Sequence, residues 1–397
     1  MGLIELTSLL LFVLGLLLAF LATILGIEIC CAYTLPSRQW PTGVRPRIAV
    51  LVPAHNEELV LQSTIVNIQS QLCPGDRLVV VADNCTDQTG DIAAAEGAEV
   101  IYRTDVTRRG KGFALDFGLR HLEADPPEIV IIVDADCLLS SSAVGQLASI
   151  SAELERPVQA NYEMRLPAVA ASRSQRIAAF AWRIRNYIRP LGLQKLGLPC
   201  QLMGTGMAFS WDLISKTDLK SSEIVEDLAL GLTLARANKA PVFAPDTVVY
   251  STFPTSTEGQ QSQRERWEVG HLNAIVRYGL PIFKDAFLLR ATRQALVLAA
   301  DNSVPPLSFL VLLIGAYFTA ATLFAVTTEN VVPMFIAICN ASVVIGSVAV
   351  LGWWYSGRDI LPFRELILAV SYSMGKAPLY LKVLAGKRLA WVRTKRD

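Results

Sequence analysis

Charge is what this sequence has least of. Asp, Glu, Lys and Arg make up 18% of its 397 residues and hydrophobic residues 52%, whereas an ordinary soluble domain carries roughly 25% charged residues. The chain is therefore short of the polar surface needed to stay in water alone, and the deficit points to a membrane. The two signs nearly cancel, with Lys+Arg 36 against Asp+Glu 35, and no basic run is interleaved with aromatics. Without such a field, nucleic acid is excluded as a partner. The 7 cysteines are odd in number and form no CxxC pair, which suits a reducing compartment for the polar part of the chain. His121 and His271 have no metal-ligand spacing and read as structural. No internal repeat, Gly/Ser linker or low-complexity tract occurs.

The hydrophobicity is concentrated near the two ends. Leu6 to Ile27 is a run of 22 residues without a charge, long enough as a helix to reach roughly 33 Å and cross a hydrocarbon core. Nothing basic precedes it and no A-x-A site follows, so it reads as an uncleaved anchor over residues 1–33. Arg38, Arg45 and Arg47 come just after it, which places the following domain in the cytoplasm and the amino terminus outside. Leu307 to Thr328 and Val331 to Ser356 are two more uncharged stretches, joined by a short segment carrying Glu329. Residues 304–356 are thus expected to form two spans that return the chain to the cytoplasm. Residues 281–303, with Lys284, Arg290 and Arg293, read as an interfacial helix. Residues 357–397 read as an amphipathic interfacial helix with a basic cytoplasmic tail, a fourth span over 361–385 being the alternative.

Between the anchors, over 34–280, the pattern alternates. The runs at 47–54, 77–83, 98–103 and 128–136 are short, β-branched and almost wholly apolar, as strands buried on both faces should be. Helical segments are expected near Glu57 to Gln71, Asp87 to Glu96, Gly110 to Leu122 and Ser141 to Leu154. Such a series makes an α/β fold with a mostly parallel, Rossmann-like sheet, whose ligands bind beyond the carboxyl ends of the strands. VPAHNEE stands where a dinucleotide enzyme would place G-x-G-x-x-G, which argues against a dehydrogenase.

The fourth strand runs out in VDADC. Asp134 and Asp136 would face the same way if the strand persists, and two hard oxygen donors suit Mg²⁺ or Mn²⁺. D-x-D also occurs by chance at loop starts and helix caps, so alone it is weak. The same crevice should receive Pro53, His55, Asn56 and Glu57 after the first strand, and Asp83 and Asn84 after the second.

Seven ordered motifs carry a family resemblance: VPAHNEE at 52–58, ADNCTDQT at 82–89, RGKGFAL at 109–115, VDAD at 133–136, GTGMAF at 204–209, VED at 225–227 and QRERW at 263–267. With its flanking spans, the chain resembles the membrane-embedded family 2 glycosyltransferases of GT-A fold, the branch that includes cellulose, hyaluronan and poly-N-acetylglucosamine synthases. The resemblance implies that Pro53, Glu57, Asp83, Lys111, Asp134, Gln263 and Arg266 bind a nucleotide-sugar donor, by family analogy a UDP sugar. It makes Asp136, with Asp134, the metal site. It assigns Gly204, Thr205, Gly206, Glu226 and Trp267 to the acceptor and makes Asp227 the catalytic base. One base without a second nucleophilic carboxylate implies a single displacement with inversion. Plainer readings stand beside these: a turn-forming Asp83, a solvated Lys111, Glu226 and Asp227 as a helix cap, Arg266 and Trp267 as membrane-interface residues.

Arg173 to Cys200 is amphipathic, basic and aromatic, with Pro190 expected to stop its first half. It suits either a helix on anionic lipid headgroups or one packed in the catalytic domain. The expected activity is hexosyl transfer to a lipid-linked or growing polysaccharide acceptor at the cytoplasmic face of a bacterial inner membrane, in contact with membrane lipids. A processive, secreting synthase needs a wider ring of helices, which a homo-oligomer or export partner would have to complete. A regulator that only binds nucleotide sugar is the non-enzymatic alternative, and a transporter would want broken-helix repeats.

Overall fold

The computed structural model describes residues 2–40, 43–167, 171–220, 226–254 and 256–385. The chain begins with α1 (Leu3–Thr34), which overshoots the uncharged run and so carries Glu28 on its last turns. The α/β unit then alternates β1 (Ile48–Ala54), α2 (Leu61–Gln69), β2 (Arg77–Asp83), α3 (Thr89–Ala95), β3 (Glu99–Arg103), α4 (Lys111–Leu122), β4 (Ile129–Ile132), β5 (Leu138–Leu139), α5 (Ala143–Leu154) and β6 (Val158–Arg165). It continues through α6 (Arg173–Arg183), a π-helical turn Ile184–Ile188, α7 (Arg189–Leu196), β7 (Met207–Ser210), α8 (Trp211–Ile214), α9 (Glu226–Arg236), β8 (Val242–Thr252) and α10 (Thr257–Ala274).

The eight strands form one sheet in the order β3-β2-β1-β4-β7-β6-β8-β5. β1 to β4 are mutually parallel, β7 runs antiparallel to β4 and β6, and β8 runs parallel to β6. The result is the mostly parallel α/β sheet the runs imply. Successive side chains of a strand point to opposite faces. Accordingly Ile48, Val50 and Val52 pack toward α2 and α5, while Ala49 and Leu51 pack toward α4 and α9.

Two sequence expectations are corrected here. The fourth strand stops at Ile132 rather than 136: Val133 N–H still donates to Leu51 O at 3.1 Å, and a turn closed by Cys137 N–H to Asp134 O at 3.1 Å follows. Carboxylates leave the ladder because a buried sheet gives them no water. Pro190 does not stop its helix either. It falls in the first turn of α7, where a proline needs no N–H partner, and the π-helical turn before it carries the chain through.

That stretch packs inside the protein. Arg176 pairs with Glu365, Arg183 with Asp359, and Arg189 with Glu28 and Asp301, so of its two sequence readings the structure takes the packed one. After a second π-helical turn, Ile275–Gly279, come α11 (Leu280–Phe287) and α12 (Arg293–Ser303), where the sequence suggested one interfacial helix. The break at 288–292 lets Leu298 and Ala299 of α12 pack against Leu232 and Ala235 of α9.

Among the described residues, three helical stretches are long and apolar enough to cross a membrane: α1, α13 (Leu307–Thr328), and Val332–Ser356. The last comprises α14 (Val332–Val344), a π-helical Ile345–Gly352 and α15 (Trp353–Ser356). They pack together closely at Gly15, where an added Cβ would lie 2.2 Å from the Tyr317 hydroxyl and whose carbonyl accepts from Asn340 Nδ2 at 3.1 Å. Over 361–385 the chain forms α16 (Phe363–Leu366), α17 (Ala369–Met374) and α18 (Ala377–Leu384). These pieces replace the single amphipathic helix of the sequence reading and none has the length of a span. The basic tail beyond 385 lies outside the described residues.

Candidate active site

The carboxyl ends of β1, β2 and β4 open into one crevice. Pro53 pairs with Val81 on the β2 side, while the ladder to β4 ends at Leu51, so its missing N–H costs no bond there. Asn56 adopts φ 55 and turns the chain so that Glu57 N–H meets Thr89 Oγ1 at 2.8 Å. At the end of β2, Asp83 Oδ1 accepts from Arg103 Nη1 at 2.6 Å and from Asn84 Nδ2 at 3.0 Å, and its carbonyl contacts His55 Nδ1 at 2.7 Å. Arg103 is the β3 residue opposite Asp83 in the ladder and holds the carboxylate in place.

Lys111 opens α4 and donates to Asp134 Oδ1 and, at 2.6 Å, to the Gly204 carbonyl. Burial opposes its charge, but Asp134, with Glu226 and Asp227, outweighs burial and pushes its pKa up to about 12. It is a fixed cation, not a solvated surface lysine. Asp134 N–H donates to Thr205 Oγ1 at 3.0 Å, and Asp136 Oδ2 accepts from Ser251 Oγ at 2.7 Å. Although the strand has ended, the turn brings ligand atoms of Asp134, Asp136 and Cys137 within 4.8 Å of one another. Burial, beside Asp136 and Asp134, pushes the Cys137 thiol well above its usual range. A neutral thiol is a poor ligand for a hard cation, so this donor set fits Mg²⁺ or Mn²⁺ through its two carboxylates.

Gly204 and Gly206 have φ +88 and +64, and a Cβ at Gly206 would meet Val249 Cγ2 at 2.6 Å. Gly206 is therefore needed for packing, while at Gly204 a Cβ would lie 3.4 Å from Asp227 Oδ2 and 3.7 Å from Lys111 Nζ. This glycine keeps open the space between the candidate base and the Lys111–Asp134 pair. Glu226 and Asp227 begin α9; Val225 lies outside the described residues. Asp227 Oδ1 accepts from Leu228 N–H at 2.8 Å, its neighbour's amide and not a capping bond to the second or third turn residue. Burial raises the Asp227 pKa against the pull of that amide, Lys111 and Arg185. Burial and then the charge of Asp227 push Glu226 up to about 7.

Gln263, Arg266 and Trp267 follow one another along α10. Gln263 is buried, and the Trp267 ring lies 4.5 Å from that of Trp182. Trp182 is anchored by its indole N–H to Tyr162 O at 2.9 Å and packs on Tyr162 and Phe253, so Trp267 belongs to an aromatic wall within the protein.

Residues 46–270, more than half of the chain, match the family model described as "Glycosyltransferase like family 2". The chain belongs to that family. Among the glycosyltransferase relatives, the probable glycosyltransferase YdaM of Bacillus subtilis (strain 168) is 25% identical over 248 residues, 60% of this chain and 58% of that protein. The chain thus spans little more than half the length of that curated relative. Glucosyl-3-phosphoglycerate synthase of Mycobacterium tuberculosis (strain ATCC 25618 / H37Rv) is 39% identical over 98 residues, 23% of this chain and 29% of that protein. In fold, the chain is similar to the mannosyltransferase PcManGT from Pyrobaculum calidifontis, solved in complex with GDP-Man and Mn²⁺. The TM-score is 0.57 at 19% identity, covering 95% of this chain and 100% of that one. This similarity shows the GT-A-like fold of the family.

Arg103 and Ser251, which bind Asp83 and Asp136, escaped the sequence reading. Arg103 was findable from strand register, being the last residue of the strand that neighbours Asp83; Ser251 had no local signal, since it arrives from β8, 115 residues away.

Proposed function

We propose that this family 2 glycosyltransferase moves a hexose from a nucleotide sugar, by resemblance a UDP sugar, onto an acceptor held at the membrane, with inversion. The observation that carries the reading is the convergence of Asp227, Lys111 and the Asp134–Asp136 pair around the gap at Gly204. Asp83, fixed by Arg103, accepts from the base of the donor in this reading, and Pro53 and Glu57 complete the donor site. Lys111, Gln263 and Arg266 supply the cationic and polar groups for the diphosphate. Asp136, with Asp134, would hold Mg²⁺ or Mn²⁺, whose charge when the ion is bound stabilises the departing nucleoside diphosphate; Mn²⁺ accompanies GDP-Man in the Pyrobaculum mannosyltransferase. Asp227 takes the proton of the attacking acceptor hydroxyl, and its raised pKa makes it a better base than an exposed aspartate. Gly204, Thr205, Gly206, Glu226 and the flat face of Trp267 receive the acceptor.

The apolar helices support a site at a bilayer, and their flanking charges favour an amino terminus outside and an active site in the cytoplasm. Three spans enclose little space, which favours addition to a lipid-linked acceptor over secretion of a polymer by one chain. The test is a screen of detergent-purified protein against nucleotide sugars with Mg²⁺ or Mn²⁺, measuring released nucleoside diphosphate. Turnover of one donor, abolished by chelation, is expected; binding without any turnover would favour the regulator.

A further inference from the structure

The sheet opens a second cleft at a break in its own ladder. Ala160 of β6 faces Ala244 of β8, but the next residue, Asn161, faces Val248. Pro245, Asp246 and Thr247 bulge out between them, where the missing N–H of a proline costs no ladder bond, and Thr247 Oγ1 donates to Ala244 O at 3.0 Å to close the loop. Beside this bulge lies a cleft of about 570 Å³, within the roughly 300 to 1,000 Å³ of small-molecule sites. β6 and the bulge form one side, the π-helical turn at Tyr187 another, and the end of the third apolar stretch, Trp354 to Ile360, the last. None of its lining residues belongs to the seven motifs of the sequence.

Flat rings and polar groups of both signs meet there. Trp354 and Tyr355 are 52% and 63% exposed yet held in place, Tyr355 by stacking on Tyr33 at 4.8 Å and Trp354 by Arg358 over its ring at 4.5 Å. Arg183 donates to Ser356 O at 3.0 Å and to Asp359 Oδ2 at 2.7 Å. With Glu163, the lining sets the guanidinium groups of Arg183 and Arg358 against an equal number of carboxylates, so it offers no net field to an anion. Asn161 also lines the cleft. Its side chain is buried and its Oδ1 has no hydrogen-bond partner among the described residues. An amide oxygen buried in this way carries a desolvation cost that a donor from a ligand would remove. A lipid tail or a phosphodiester has no such donor. A sugar hydroxyl has one, and the apolar face of a sugar ring suits an indole or a phenol.

We infer that this cleft is a second saccharide site, separate from the donor and acceptor positions, in which a neutral sugar donates a hydroxyl to Asn161 Oδ1 and lays a ring face on Trp354 or Tyr355. Trp182 borders the cleft and its ring lies 4.5 Å from that of Trp267, so a sugar held there abuts the back of the aromatic wall. The site goes beyond the proposed transfer and stands without it, since the two share no residue.

The test is saturation-transfer NMR on full-length protein in a detergent without a sugar headgroup, titrated with maltose, cellobiose and N,N′-diacetylchitobiose, and with glycerophosphoethanolamine as a lipid headgroup. At least one disaccharide is expected to bind, ahead of the headgroup. Asn161→Leu and Trp354→Ala should each weaken that binding by roughly 5- to 10-fold, the worth of one hydrogen bond or one aromatic face, whereas Trp267→Ala should leave it unchanged. Melting curves check the fold. Asn161→Leu should melt no lower than wild type because it removes an unmatched buried oxygen. Trp354 is half-exposed, so its truncation spares the core and carries the test should the Asn161 variant unfold. Failure of every disaccharide to bind, binding equally tight in both variants, or binding lost in Trp267→Ala would each overturn the inference, the last by returning the sugar to the acceptor position. Tighter binding of glycerophosphoethanolamine would also overturn it and make the cleft a headgroup site.

Discussion

Glu226 lies beside the candidate base, half-buried and next to another carboxylate, and both conditions favour its neutral form. Its folded-state pKa, about 7 against an ordinary 4.5, means that folding favours the protonated acid. The stability this contributes is complete below the unfolded value and is lost as pH rises through about 7. Glu226→Gln should therefore melt at a higher temperature than wild type at about pH 8 and lose that advantage near about pH 4. Melting curves of the two proteins at both pH values check it; a constant difference would mean that Glu226 is not the titrating group. At this scale the sequence was legible wherever a motif kept its own residues together, as in VDAD or GTG. It was illegible where a partner comes from a distant strand, as with Ser251 on Asp136.

Among the elements, the strands were plain because a strand buried on both faces must be continuously apolar, and β1, β2 and β3 fall within the runs at 47–54, 77–83 and 98–103. The fourth was overextended because the apolar run continues to Val133 while the ladder ends at Ile132. The π-helical turn before Pro190 had no periodic signature, and its effect is to turn Arg189 inward. Arg189 then joins α1, α7 and α12 through Glu28 and Asp301, each partner nearly buried. Arg189→Met strands two carboxylates and should cost roughly 3 to 5 kcal/mol, whereas Glu28→Leu, Arg189→Met and Asp301→Leu together should recover most of the loss. Thermal melts in one detergent decide this; an Arg189→Met protein as stable as wild type would show that the cluster does not hold the first span to the catalytic unit.

For the whole molecule, hydropathy foretold the three helical stretches that, among the described residues, are long and apolar enough to cross a bilayer, because an uncharged apolar run of that length has few other uses. The segment 361–385 was ambiguous because its length and apolar residues suit a fourth span while its charges, Arg364, Glu365, Lys376 and Lys382, suit an interface. Its Glu365 and Lys376 turn out to pair with Arg176 and Glu268. The proposed orientation predicts that a single cysteine near Glu329, in a background lacking the native ones, reacts with an impermeant probe on whole cells. A cysteine beside Lys382 should react only after permeabilisation, and labelling from outside at that site would contradict the three-span topology. The central claim, that Asp227 is the base of an inverting transfer, is tested most directly by Asp227→Asn in a transfer assay paired with calorimetry of nucleoside diphosphate and Mn²⁺. The amide keeps the size and cannot take the acceptor proton, so nucleotide binding should survive while transfer falls by about 10²-fold or more. Transfer near the wild-type rate would contradict the account and leave Glu226 and Asp227 as the opening residues of a helix.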